Sequence, residues 1–150
     1  MSRYFEVVKN ELRTTKGEIT LPTRSDVGSA GYDFYSPIDT IIQPKKSTLI
    51  FTDVKACMNK DEVLELYVRS SMGKHPVVIA NGTGIIDSSY FENESNDGNI
   101  GFRLLNLGDK PYEIHIGDRI GQGVFQKYLI TDDDNTVGER TGGFGSTGIH

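Results

Sequence analysis

The chain has 150 residues, 36% of them apolar and 25% charged, which suits one globular domain burying about two-thirds of its unfolded surface. Seven Tyr and seven Phe argue against disorder, and the longest apolar runs, such as Val77–Ala80, fall far short of the ~20 residues that cross a bilayer. Sixteen Lys+Arg against 21 Asp+Glu give a net charge of −5 without a basic cluster, so neither nucleic acid nor a membrane is expected as a partner.

The N-terminal Met1-Ser-Arg-Tyr-Phe-Glu6 has no apolar core, and no signal peptide is expected. The single Cys57 cannot form an internal disulfide, which fits a reducing, cytoplasmic setting. Ala30–Ser36 reads as an apolar-aromatic strand with Asp33 inside it, a disfavoured place for a carboxylate and therefore a candidate metal-linked residue. Ile41–Phe51 reads as a further strand. In Glu62–Arg69, Leu64, Leu66 and Val68 share one face and Glu65, Tyr67 and Arg69 the other, the period of two that belongs to strands. At most one short helix is expected, near Ser70–His75. Arg69-Ser70-Ser71 opens it with donors only, which suits either a polar turn or a phosphate cradle.

Val77–Ala80 followed by Asn81-Gly-Thr-Gly84 predicts a tight hairpin whose open backbone edge can read a ligand. Asp87 then follows two isoleucines at the mouth of an apolar strand. It suits a turn cap or, partly desolvated, a general base. Ile100–Leu107, Tyr112–Ile116 and Ile120–Ile130 complete the strands. Asp118 and Arg119 read as a turn in which the two charges pair with each other. Residues 131–150 differ in kind: an acidic linker, then Arg140-Thr-Gly-Gly-Phe-Gly-Ser-Thr-Gly148. The composition suits either a disordered tail or a mobile arm that wraps phosphate with glycine N–H groups, the hydroxyls of Ser146 and Thr147 and the fork of Arg140, Phe144 being free to stack on a flat ligand. Gly143–Gly148 also spells G-x-G-x-x-G, but only two residues follow it, so it cannot open a dinucleotide-binding helix. The three histidines show no metal-ligand spacing. The elements add up to an all-β sandwich or jelly-roll-like barrel over residues 1–130, with a linker and glycine-rich arm over residues 131–150.

Taken in order, five segments resemble the five motifs of the trimeric dUTPase family: Ala30–Ser36, Arg69–Ser71, Gly84–Tyr90, Gly117–Gln122 and Arg140–Gly148. The resemblance implies a jelly-roll homotrimer with three shared active sites and a mobile arm that completes a neighbour's site. The substrate would be dUTP, hydrolysed with Mg²⁺ to dUMP and pyrophosphate, which keeps uracil out of DNA and supplies dUMP for dTMP synthesis. Carried over residue by residue, Asp87 is the base for the attacking water and Tyr90 packs on the deoxyribose. Asn81, Gly84 and Ile86 belong to the segment that reads uracil. Arg69, Ser70, Ser71 and Gln122 hold the inner phosphates, and Asp33 acts on Mg²⁺ through water. Arg140, Gly145, Ser146 and Thr147 close on the γ-phosphate while Phe144 covers the base.

Three departures stand out. Phe91–Asn99 lengthens the loop after Tyr90, Gly121 replaces the usual Ala beside Gln122 (a small change as sequence), and Ser71 stands where Gly is common. The last also resembles the sister dCTP deaminases, but the place of their catalytic Glu is held here by Arg103. That deaminase relative, or a non-catalytic nucleotide-binding regulator, is the alternative.

Overall fold

Among the described residues eleven short strands form the frame: β1 Tyr4–Val7, β2 Tyr32–Tyr35, β3 Thr40–Ile42, β4 Ser47–Phe51, β5 Val54–Cys57, β6 Glu62–Tyr67, β7 Val77–Ile79, β8 Gly84–Asp87, β9 Gly101–Asn106, β10 Tyr112–Ile114 and β11 Arg119–Lys127. The computed structural model describes residues 3–140, 142 and 143. Among these the only helical segments are 3₁₀ turns, one of them Ser70–Lys74, where a short helix is expected from sequence. All named pairings are antiparallel. They build a four-stranded sheet in the order β2-β11-β6-β8, a three-stranded sheet β4-β9-β7, and the pairs β1-β5 and β10-β3.

The alternation in β6 does what its period requires: Leu64 and Leu66 are buried while Val63, Glu65 and Tyr67 are half-buried. Their buried face meets Ile50, Ile100, Phe102 and Leu104 of the three-stranded side and Phe34 and Ile120 of the four-stranded one, giving one continuous core between the sheets. Phe5, Phe34, Phe102 and Phe125 are linked through ring contacts of 5.3–5.6 Å and tie β1, β2, β9 and β11 together.

Three readings of the sequence are corrected. Ile41–Phe51 is two strands, because the chain turns at Pro44-Lys45 with Lys45 at φ 65°. Val77–Asp87 is not a hairpin: β7 pairs with β9 and β8 with β6, so the turn around Gly82 (φ 82°) carries the chain from one sheet to the other. Nor is Gly121 a trivial replacement. A Cβ there would lie 2.3 Å from Cε2 of the buried Phe102 ring, so glycine is what lets Phe102 fill this part of the core.

Asp53 anchors the N-terminal segment from within. It is fully buried, at φ 60°, and its carboxylate accepts the Thr14 and Thr15 N–H groups at 2.8 and 3.0 Å, their hydroxyls at 2.9 and 2.7 Å, and Asn99 Nδ2 at 2.9 Å. Burial alone would raise its pKa, but these donors outweigh it and hold the carboxyl below its ordinary range. Because the folded pKa is the lower one, the stabilisation is present above the unfolded carboxylate pKa and is lost as pH falls through the folded value. Asp53→Asn, which tolerates the same backbone, turns an NH₂ against these donors. It is expected to cost about 2–3 kcal/mol in denaturant unfolding at pH 7 and to flatten the loss of stability in acid. Unchanged stability at pH 7 would show that the carboxylate network contributes nothing.

Candidate active site

Asp87 ends β8, an outer strand of the four-stranded sheet, and the alternation along that strand sets its exposure. Gly84 and Ile86 turn inward, and Ile85 and Asp87 turn outward. Gly84 is required by packing, since a Cβ there would approach Leu66 Cβ to 2.8 Å. A cleft of about 680 Å³ opens beside this strand and is lined by Asn81, Gly84–Asp87, Tyr90, Phe102, Arg103 and Arg140 among others. Asn81 is exposed at its rim. The Ile86 side chain belongs to the core at 6% exposure, which leaves its main chain for contact with a ligand.

Tyr90 forms one wall. The ring is buried, its hydroxyl donates to Asn99 O at 2.6 Å and accepts from Asn96 Nδ2 at 2.8 Å, and burial pushes its pKa up against the opposing effect of Asn96. Arg140 lies across this wall, its guanidinium carbon 5.4 Å from the Tyr90 ring centroid. Arg140 Nη1 donates to Asp87 Oδ2 at 3.3 Å and to Ser89 Oγ at 3.5 Å. The Arg140 side chain is only 10% exposed while that of Asp87 is 54% exposed, and Arg140 Nε is buried without a hydrogen-bond partner among the described residues. Arg140 is therefore an incompletely satisfied cation held at a carboxylate, a state that an incoming anion can improve.

A second polar cluster forms at the opposite side of the same sheet. On β2, Asp33 Oδ1 accepts Arg69 Nε at 3.0 Å, while Oδ2 accepts Ser25 Oγ at 3.2 Å and faces Arg119 Nη1 at 4.0 Å. Arg69 Nη1 also donates to Ser71 Oγ at 3.3 Å, and Ser70 is exposed beside it. Gln122, paired with Asp33 across the strands, donates Nε2 to Val68 O at 3.1 Å, and its Oε1 fills the space a Cβ of Gly31 would need. Arg69, Arg119 and Tyr112 border a shallow recess of about 370 Å³. Arg119 is a member that the sequence does not reveal. It turns to Asp33 instead of pairing with Asp118, whose Oδ2 instead accepts the His115 N–H at 2.8 Å.

The residues singled out from sequence thus fall into two groups on one chain: Asn81, Gly84, Ile86, Asp87, Tyr90 and Arg140 in the cleft, and Asp33, Arg69, Ser70, Ser71 and Gln122 in the cationic cluster. Three inter-strand steps and the register Asp87↔Val63 against Gln122↔Tyr67 separate Asp87 from Asp33 by roughly 20 Å. Phe144, Gly145, Ser146 and Thr147 lie outside the described residues. Arg140 meets Asp87 of its own chain, whereas the resemblance assigns arm and base to different chains. The position where a deaminase would carry its glutamate is an exposed arginine, Arg103, on the edge of the cleft.

Comparison with known proteins fits this layout. A profile of the dUTPase family matches residues 17–148. The chain is 40% identical, over 97% of both sequences, to the deoxyuridine 5'-triphosphate nucleotidohydrolase of Lactococcus lactis subsp. lactis (strain IL1403). It is 36% identical to that of vaccinia virus (strain Copenhagen), over 85% of each chain. The crystal structure of the dUTPase from Streptococcus mutans superposes with a TM-score of 0.77 at 35% identity, covering 85% of this chain and 98% of that one. The all-β, jelly-roll-like frame, the five segments in order and a family match that spans nearly all of both sheets lead to one conclusion: the chain belongs to the dUTPase family.

Proposed function

We propose that this chain hydrolyses dUTP to dUMP and pyrophosphate in a homotrimer, each active site being built where the Asp87 cleft of one subunit faces the Arg69 cluster of another. The observation that carries this reading is Asp87 itself. It is a half-exposed carboxylate at the end of an outer strand, beside a buried aromatic wall and a cation that can exchange it for phosphate. The roughly 20 Å between Asp87 and Asp33 within one chain is too far for a single water and its target phosphorus to touch both, which favours a site shared between chains.

Uracil lies against the Asn81–Ile86 segment, where the main chain of an outer strand offers donors and acceptors, and the deoxyribose packs on Tyr90. Arg69, Ser70, Ser71 and Gln122 hold the inner phosphates. Arg140 leaves Asp87 for the outer phosphate, and Phe144, Gly145, Ser146 and Thr147 follow it as residues 131–150, the linker and arm, complete a neighbouring site. Asp87, freed of Arg140, takes a proton from a water as its oxygen adds to the α-phosphorus, and the bond to the bridging oxygen breaks so that pyrophosphate leaves. Water is best excluded when Phe144 covers the base.

Asp33 fits a Mg²⁺ ion only at one remove. Both of its oxygens already accept hydrogen bonds, from Arg69 and Ser25, and no group of three or more metal-ligating side chains occurs among the described residues. A cation that keeps most of its waters and arrives on the triphosphate suits such a donor set, with Asp33 accepting from those waters. Bound in this way, Mg²⁺ supplies neutralisation of the developing phosphate charge. Excess EDTA is therefore expected to lower pyrophosphate release from dUTP by about tenfold or more, with recovery on added Mg²⁺. Full activity in EDTA would leave neutralisation to arginine alone. The net charge of −5 and the single Cys57 further support a cytoplasmic enzyme acting on free nucleotide, with neither nucleic acid nor membrane as partner. Among the described residues no helix is long and apolar enough to cross a membrane.

Pyrophosphate release, followed with dUTP, dCTP and UTP in parallel, tests the reading in one experiment. Turnover confined to dUTP is expected. Ammonia release from dCTP would establish the deaminase, and binding without turnover the regulator.

A further inference from the structure

The Phe91–Asn99 loop is the part of the chain that the proposed mechanism leaves without a task, yet it is one of the most tightly bonded segments. Asn93, Asp97 and Asn99 are buried at 6, 3 and 1% exposure. Asn93 Oδ1 accepts the N–H groups of Ser95 and Asn96 at 3.0 and 3.1 Å, and its Nδ2 donates to Tyr90 O at 2.8 Å. Gly98 takes φ 89°, and a Cβ there would lie 2.9 Å from Tyr90 O, so the loop closes directly on the residue it follows. Two anchors fix it to the domain. Asp97 Oδ2 accepts Lys55 Nζ and the Lys9 N–H, both at 2.9 Å, and Asn99 bridges to the buried Asp53.

What the loop grips is the tip of the Tyr90 ring. Asn96 Nδ2 donates to the Tyr90 hydroxyl at 2.8 Å, and that hydroxyl donates to Asn99 O at 2.6 Å. Asn96 is itself locked, because its Oδ1 accepts Asn93 Nδ2 at 2.8 Å and the Gly98 N–H at 3.1 Å. A Tyr ring held at Cβ alone can still rock about two torsions; one held at both ends cannot.

We infer that Asn96 is a positioning residue for sugar selection: by clamping the Tyr90 hydroxyl it holds the ring as a rigid wall that a ribose 2′-hydroxyl cannot displace. This rests on the proposal that Tyr90 packs against the deoxyribose. Rejecting one extra hydroxyl by crowding works only if the wall does not yield. Deoxyribose needs no such resistance, so the clamp acts on discrimination and not on turnover of dUTP.

The test is a double-mutant cycle read as the ratio of kcat/KM for dUTP to that for UTP. Asn96→Ala is expected to lower this ratio about three- to tenfold, the equivalent of one hydrogen bond, while kcat for dUTP stays within about twofold. Tyr90→Phe, which removes the bond from Asn96 together with the one to Asn99 O, is expected to lower the ratio at least as much, and the double variant to lower it no further than Tyr90→Phe alone. Tyr90→Ala serves as the control for the underlying reading and should lower the ratio more than either. If Tyr90→Ala lowers the ratio but Asn96→Ala and Tyr90→Phe do not, the clamp is refuted and the sugar wall stands. If Tyr90→Ala leaves the ratio unchanged, the wall itself is wrong. Additive effects of Asn96→Ala and Tyr90→Phe would show that Asn96 does not act through the hydroxyl. Should Asn96→Ala fail to fold, Tyr90→Phe decides alone, since full selectivity in that variant overturns the inference.

Discussion

Asp87→Asn is expected to lower kcat for dUTP by about 10²–10⁴ while leaving KM within a few-fold. The amide keeps the size of the side chain and one acceptor oxygen at the end of β8, so the cleft keeps its shape. It cannot accept a proton from water at neutral pH, and it loses the charge that holds Arg140 at 3.3 Å. Releasing Arg140 in the absence of substrate should, if anything, help nucleotide enter, which sets a clear sign on KM: unchanged or lower. A rise in KM with kcat unchanged would mean that Asp87 contributes to binding and not to proton transfer. Turnover within a few-fold of wild type would remove it from the chemistry altogether.

The second large effect concerns the base. Turnover of dCTP is expected to be less efficient than that of dUTP by about 10⁴ or more in kcat/KM. Among the described residues β8 has no strand on its far side, and Ala80, Asn81 and Gly84–Ile86 line the cleft, where the proposed reading has their main chain meet the base. Main-chain donors and acceptors are fixed in direction and cannot rotate to suit a different partner, unlike a hydroxyl or an amide side chain. Cytosine exchanges donor and acceptor at its 3- and 4-positions relative to uracil, so in the closed site proposed above the wrong base would leave two partners unpaired. A ratio below about tenfold would mean that side chains or water read the base.

How legible all this was depended on what each feature needed. Strands with one buried face announced themselves, as β6 did through Leu64 and Leu66. β1 and β5 did not, because Tyr4–Val7 is largely exposed on both faces and Val54–Ala56 is buried on both, with the buried Lys55 satisfied by Glu92 and Asp97. The turn at Gly82 looked like a hairpin because local sequence reports a reversal of direction, not which sheet the chain rejoins. Residue types marked Asp87, Tyr90, Arg69 and Asp33 as chemistry. Their division into two clusters follows from the sheet order β2-β11-β6-β8, which no local pattern encodes. Phe91–Asn99 reads as a lengthened loop and no more, and only the structure reveals that Asn93, Asp97 and Asn99 turn inward and that Asn93 and Asn99 hold Tyr90.

The central claim is that one active site needs Asp87 from one chain and Arg69 from another, and complementation tests it most directly. Asp87→Asn and Arg69→Ala homotrimers should each be nearly inactive, one for want of the base and the other for want of a phosphate cation beside Asp33. The two are unfolded, mixed at equal ratio and refolded, and mixed trimers are verified by native mass spectrometry. A site is whole when its Asp87 comes from an Arg69→Ala chain and its Arg69 from an Asp87→Asn chain, so random assembly makes roughly a quarter of the sites intact. Recovery of dUTP hydrolysis towards that fraction of wild type is the predicted result. Mixed trimers with no more activity than their parents would contradict it, because base and phosphate cradle would then have to serve the same site from within one chain.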